Sequence, residues 1–313
     1  MSFYISSMLD TNSDQLTIFI NTQAKVLEYT TIHRSLFEGY KYVDCYLVGG
    51  GGGGGTGADG STFTNYAGGG GGSGNQTGYI PAIDNGPGGT GINYTLVHHA
   101  PATARVDLTT YTDLSFILTI VGQGGTGSTS GGTSSVVFYN SNISQIGPSI
   151  DAAGGIHGGD ATSGTNGDGG DGYYAGGGGA GGNSGISGSS GGAGGIGCVD
   201  EGGYNGGAGI NDSGGLNIYA GAGAGPSGAG GNGAGCKFVE PCAESDTVGG
   251  DGGGANYLGA GVVCGAKATD KTSENGSNGA PFTGQGGGGG AYYQGHHAPG
   301  DGGSGFIILR FHD

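Results

Sequence analysis

Basic residues are scarce in this chain: 8 Lys plus Arg stand against 24 Asp plus Glu over 313 residues, a formal net charge of −16. A surface that tracks nucleic-acid phosphates needs clustered cations, so that class of partner is not expected. Tryptophan is absent and proline numbers only 8. No stretch approaches the ~20 consecutive apolar residues of a membrane-crossing helix. The first residues, MSFYISSMLDTNSD, show neither the basic region nor the apolar run of a secretory signal. Five cysteines (Cys45, Cys198, Cys236, Cys242 and Cys264) include no Cys-x-x-Cys spacing, so a zinc site is not expected. With 34% hydrophobic residues, a large conventional core is not available.

What the chain has instead is glycine, 86 residues of it. Between Gly155 and Gly215 every third position forms a frame of 21, of which 17 are glycine, the exceptions being Ala161, Tyr173, Asp200 and Asp212. The other two frames share 11 glycines over 40 positions. A flexible linker has no reason to keep a register, whereas a threefold helix of polyproline II type has one. That helix forms no internal hydrogen bonds, so its N–H and C=O groups point outward. In a packed structure those groups need partners. Parallel helices supply them to one another where the facing residue has no Cβ. Ordering a glycine backbone costs at least ~1–2 kcal/mol per residue, so the competing reading is a disordered low-complexity linker. The ordered β-type blocks on either side favour the bundle. Scarce proline and abundant Gly-Gly pairs argue against a collagen triple helix.

Those blocks divide the chain. LTIFI (16–20), KVLEYTTI (25–32) and YVDCYLV (42–48) read as strands from their β-branched and aromatic content. A glycine-rich insertion opens at Gly49 with seven consecutive glycines. Strands return as ATARVDL (102–108), LSFILTIV (114–121) and SSVVFY (134–139). A second glycine zone follows, and GFIILRF (305–311) closes the chain as a strand. The expected fold is an all-β, sandwich-like core with a large inserted polyglycine II bundle and essentially no α-helix. Residues 1–36 form an N-terminal β arm, either a docking and assembly segment acting by strand addition or extra strands of the same sandwich. Residues 37–151 and 304–313 form the β core with its first glycine-rich insertion, and residues 152–303 form the bundle.

The order of segments resembles the glycine-rich domain of phage tail-fibre and tip proteins, also found in the extracellular part of anaplastic lymphoma kinase. The resemblance is carried by YVDCYLVGGGGGGG from Tyr42, AGGGGGSG from Ala67, FILTIVGQGGTGSTSGGTSSVVF from Phe116 and GGSGFIILRF from Gly302, and covers about residues 37–313. It implies packed polyglycine II helices beside a β core, in a domain serving attachment or receptor contact. The expected function is a non-enzymatic viral surface or tail-fibre protein that mediates attachment to a host surface and works on the virion surface or extracellularly. The rival is a self-assembling extracellular filament subunit whose N-terminal arm joins copies. Expected partners are copies of itself or another fibre subunit, with a host-surface glycan or protein as receptor. No cofactor, no nucleic acid and no membrane insertion are expected.

Candidate chemistry is sparse. His98-His99 and His296-His297 both open the tetrapeptide HHAP. Neighbouring residues on a strand face opposite ways, so at most His99 and His297 would meet on one metal, and a structural turn is the competing reading. Asp160, Asp168 and Asp171 do not reproduce the calcium-binding β-helix repeat and read as turn residues. Cys236 and Cys242 flank the KFVEP loop and would close it as a disulfide; free packed thiols are the alternative. No nucleophile and base are paired for catalysis. Aromatic residues interrupting glycine runs, Tyr173, Tyr174, Tyr292 and Tyr293, are the recognition candidates, since tyrosine offers contact area at low entropic cost. Covering the bundle is their other reading.

Overall fold

The computed structural model describes residues 6–8, 15–21, 28–59, 65–72, 74, 76–77, 105–162, 166–172, 182–183, 247–248, 252, 267–268, 273–292 and 296–313. The N-terminal part supplies β1 (Ser6–Met8), β2 (Gln15–Asn21), β3 (Glu28–His33), one helical turn α1 (Arg34–Phe37) and β4 (Tyr42–Val48). Short β5 (Ala58–Asp59), β6 (Asn65–Tyr66) and β7 (Gln76–Thr77) follow. Then come β8 (Arg105–Asp107), β9 (Leu114–Val121), β10 (Ser134–Asn140) and β11 (Gln145–Ala152). Two-residue strands β12 (Gly182–Asn183), β13 (Thr247–Val248), β14 (Lys267–Ala268), β15 (Ser273–Glu274), β16 (Ala291–Tyr292) and β17 (His296–His297) precede β18 (Phe306–His312).

The long strands form two antiparallel sheets with almost no helix beside them. One sheet runs β1-β2-β18-β4-β7, with β8 also on β4; the other runs β11-β10-β9-β3. Period-two alternation sends one face of each into a shared core. Ile18 and Ile20 of β2, Val43, Cys45 and Leu47 of β4, and Ile307, Leu309 and Phe311 of β18 meet Ile117 and Val121 of β9, Val136 and Phe138 of β10 and Ile150 of β11. Each such buried side chain stabilises the fold by about 1.5–3 kcal/mol. Phe37 of α1 is fully buried and stacks on Phe311 at 4.9 Å. Both β2 and β3 come from residues 1–36: β2 pairs with β18 over seven residues, and β3 pairs with β9 over six.

Several boundaries differ from the sequence reading. Within ATARVDL the described strand Arg105–Asp107 ends where Leu108 opens a 3-10 turn, and β3 runs one residue past KVLEYTTI to His33. β11 was not expected, because QIGPSIDA carries Gly147 and Pro148. Both are accommodated: β11 is an edge strand, and its register on β10 shifts between Val137 and Tyr139. A bulged edge is where proline is tolerated. Gly147 is required for another reason, since a Cβ there would stand 2.9 Å from Phe138 Cβ.

Beyond the sandwich, β4, β9 and β11 run directly into glycine segments, and two more lead into β10 and β18. Side chains keep packed sheets ~10 Å apart; where they vanish, backbones of both sheets come within hydrogen-bonding distance. Gly305 N–H donates to Gly122 O at 2.8 Å. Buried Ser134 bridges the junction, its Oγ donating to Val48 O at 2.7 Å and accepting from Gly122 N–H at 2.9 Å.

Residues 49–55 then lie amid six other segments. Gly50 and Gly53 donate to Gly132 and Thr129, Gly51 and Gly54 to Gly303 and Gly300, and Gly52 and Gly55 to Gly72 and Gly69, all at 2.8–3.0 Å. In return Gly155 and Gly158 donate to Gly50 and Gly53, Gly287 and Gly290 to Gly52 and Gly55, and Gly125 to Gly51. The partner changes with every residue and recurs after three. At each of the seven glycines an added Cβ would fall 1.8–2.2 Å from, or for neighbouring atoms close beside, a backbone carbonyl oxygen. Among the surrounding segments, residues 67–72 and 284–290 are buried throughout, whereas residues 155–170 are buried in step. Gly155, Gly158, Ala161, Gly167 and Gly170 are buried in step, while Ile156 between them is 40% exposed.

Candidate functional site

Residues 49–55 leave the sandwich at Val48, so the far end of the glycine region lies around Thr56. Three segments are tied there by one side chain. Asp160 Oδ1 accepts from Thr56 N–H at 2.7 Å, from Thr56 Oγ1 at 2.9 Å and from Ser128 Oγ. Ala161 N–H returns a bond to Thr56 O at 2.9 Å. Partial burial pushes the Asp160 carboxyl up, but the hydrogen bonds from Ser128 and Thr56 and the neighbouring His157 outweigh it and hold the group below its ordinary range. Asp301 repeats the device on a smaller scale, accepting from Gly127 N–H at 3.2 Å. Gly127 sits at φ +51°, a conformation that glycine adopts without strain, in the turn joining residues 122–125 to 129–132.

Beside this turn an open cleft of about 280 Å³ is lined by Gln123, Gly124, Thr126, Thr129 and Ser130. Its lining is hydroxyl, amide and glycine backbone, chemistry suited to hydrogen-bonding a polar ligand and lacking any charge. Ser130 Oγ accepts from His157 N–H at 3.3 Å, joining the cleft to the segment that ends in Asp160.

Of the recognition residues read from the sequence, Tyr292 reaches this end of the molecule. It is half-buried in β16, opposite His296, and its N lies 2.7 Å from where a Cβ on Gly57 would stand. His297 pairs with Ala291 in the same ladder. Tyr173, Tyr174, Tyr293, His99, Cys236 and Cys242 lie outside the described residues. Among the described residues no three His, Cys, Asp or Glu side chains are grouped to hold a metal ion. Asp160 was read as a turn residue. Its carboxylate instead bridges positions 32 and 104 residues away, a role no local motif announces.

A second polar concentration lies on the outer face of the β1-β2-β18-β4-β7 sheet. Asp44, almost fully buried, accepts from Arg105 Nε at 2.6 Å and Nη2 at 3.1 Å, and from Arg310 Nη2 at 3.1 Å. His312 Nε2 stands 3.2 Å from Oδ2, outside hydrogen-bond geometry. Burial raises the Asp44 carboxyl, yet the Arg105 and Arg310 bonds and the adjacent charges hold it below its usual value. The cluster joins β4, β8 and β18 and reads as a support for the sheet. Cys45 beside it is a fully buried free thiol, pushed far up by burial and by Asp44.

Comparison with models of known protein families finds no match, and comparison with curated protein sequences finds none either.

Proposed function

We propose that this chain is a non-enzymatic viral surface or tail-fibre protein in which a β sandwich carries a polyglycine II bundle, and that the end of the bundle remote from the sandwich contacts a host surface. The observation that carries this reading is the threefold recurrence of hydrogen-bond partners around residues 49–55, which matches a helix of three residues per turn with outward-pointing peptide groups. Such a segment needs no side chains to be rigid. It is suited to holding a ligand-contacting end away from its anchor. That end brings together Thr56, Ser128, Asp160 and Tyr292, hydroxyl, carboxylate and aromatic groups of the kind that recognise glycans or proteins. The chain would act on the virion surface or extracellularly, with a host-surface glycan or protein as receptor and a fibre subunit or further copies as anchor. The filament alternative requires the N-terminal arm to join copies; of that arm, β2 is hydrogen-bonded on both sides within its own sheet, while β1 and β3 are edge strands.

The test is binding of labelled full-length chain to a glycan array and to a panel of cell surfaces. Binding that is lost in Tyr292→Ala and retained in Leu36→Ala, at the exposed surface of α1, supports the proposal. Failure of the intact chain to bind any surface, or polymerisation of the purified chain into filaments, overturns it.

A further inference from the structure

Residues 122–125 and 129–132 run side by side, joined by Gly132 N–H donating to Gln123 O at 2.7 Å. The cleft they wall is open to solvent, yet its rim is held still. Thr129 Oγ1 accepts from Thr126 N–H at 2.8 Å and donates to Thr126 O at 2.9 Å, while Thr129 O accepts from Gly53 N–H at 3.0 Å. Ser130 Oγ accepts from His157 N–H, which leaves its own hydrogen to donate. Gly125 N–H donates inward to Gly51 O at 2.8 Å. In a trans peptide the carbonyl lies opposite the N–H, so Gly124 C=O is turned outward. That carbonyl, the Gln123 side-chain amide and the Thr126 hydroxyl have no hydrogen-bond partner among the described residues.

We propose that this cleft binds one unit of a neutral saccharide, a pyranose whose hydroxyls bond Gln123, Gly124, Thr126 and Ser130. The lining selects the class by what each group can do. An amide and hydroxyls both donate and accept, as sugar hydroxyls do. Among the described residues that line the cleft there is no Lys or Arg to hold a phosphate or carboxylate, no carboxylate to hold an ammonium group, and no apolar group beyond the methyls of Thr126 and Thr129. The net charge of −16 further disfavours anions. Size sets the length. About 280 Å³ falls just below the ~300–1,000 Å³ of pockets for drug-sized ligands, so one sugar ring enters and the rest of a glycan continues through the open side. The fixed rim lowers the entropy lost in ordering the site on binding. No aromatic ring is among those lining residues, so hydrogen bonds exchanged against water carry the contact, and a ligand of about 12 non-hydrogen atoms reaches a Kd of about 1 mM. The inference rests on the attachment reading above only for the source of the sugar, a host-surface glycan; binding of the free sugar is independent of it.

Amide-resolved NMR titration of the full-length chain tests this with the methyl glycosides of glucose, galactose, mannose and N-acetylglucosamine, and with that of sialic acid. At least one neutral glycoside is expected to saturate with a Kd of about 1 mM and to shift the amides of residues 123–126. Because no charge takes part, the Kd stays the same between about 0.05 M and about 0.5 M salt. Gln123→Ala and, separately, Thr126→Val are each expected to weaken binding about fivefold, the loss of one hydrogen bond. Tyr292→Ala leaves it unchanged. Thr126→Val keeps the size of an exposed side chain, so it carries the test should Gln123→Ala fail to fold. Lack of saturation by every neutral glycoside up to about 50 mM, tighter binding of the sialoside, or a Kd that Thr126→Val does not move overturns the proposal. Cell-surface binding that Tyr292→Ala abolishes, found together with no binding of free sugar, overturns the cleft as a sugar site and leaves the attachment reading standing.

Discussion

Substituting Gly52 by alanine isolates the role of the seven-glycine run. The added Cβ would stand 2.2 Å from Ile156 O and 2.5 Å from its carbonyl carbon, against an ordinary contact of about 3.5 Å. Residues 49–55 and 153–159 must therefore separate by on the order of 1 Å. The bonds on either side of the intrusion, Gly155 N–H to Gly50 O at 2.8 Å and Gly158 N–H to Gly53 O at 2.9 Å, stretch beyond useful length. Two buried bonds left unmade cost about 1–3 kcal/mol each, and the strain of overpacking adds about 1–3 kcal/mol. Alanine also restricts the unfolded chain, which offsets about 0.4–1 kcal/mol. The net loss is about 5 kcal/mol, a fall in Tm of about 10 °C. Differential scanning calorimetry compares Gly52→Ala with Ile156→Ala, a truncation at an exposed position expected to stay within about 0.5 kcal/mol of the parent. A Gly52→Ala variant melting within about 2 °C of the parent refutes close backbone packing around this run.

Acid should act through Asp44. Its folded-state pKa lies below the unfolded value, so its contribution is fully present above about pH 4 and disappears as pH falls through the lower, folded value. Urea midpoints measured from pH 6 downward should fall less steeply in Asp44→Asn than in the parent, from a lower starting point; equal slopes would contradict this. Ser134→Ala strands Val48 O and Gly122 N–H in a buried junction, an expected loss of about 3 kcal/mol readable by urea unfolding. Cys45 should resist iodoacetamide in the folded protein and be modified only on unfolding, as peptide mass spectrometry would report, because its burial disfavours the thiolate.

The β-rich fold was legible where strands are uninterrupted and apolar. YVDCYLV and LSFILTIV coincide with β4 and β9 residue for residue, since β-branched and aromatic runs carry their own boundaries. β11 was hidden because Pro148 and Gly147 ordinarily end strands, and only an edge position with a bulge accommodates them. In the glycine region most of the period-three frame lies outside the described residues; where it is described, Gly155, Gly158, Gly167 and Gly170 are buried in step with it, with Ile156 exposed between them. Residues 49–55 are crowded on all sides, so the period vanishes into an unbroken run. The far end was less readable still: nothing in GGDATSG announces that the Asp160 carboxylate reaches Thr56 and Ser128, because those partners are distant in sequence and met only after the turns close.

The central claim, that the glycine segments are held by lateral hydrogen bonds between backbones, is tested most directly by native-state hydrogen exchange of the full-length chain, read amide by amide for Gly50 to Gly55. These six N–H groups are buried and each donates to another segment, so their protection should equal that of the β18 amides and approach the free energy of global unfolding. Exchange of the same amides at the rate of an unstructured glycine chain, with β18 still protected, would contradict the account.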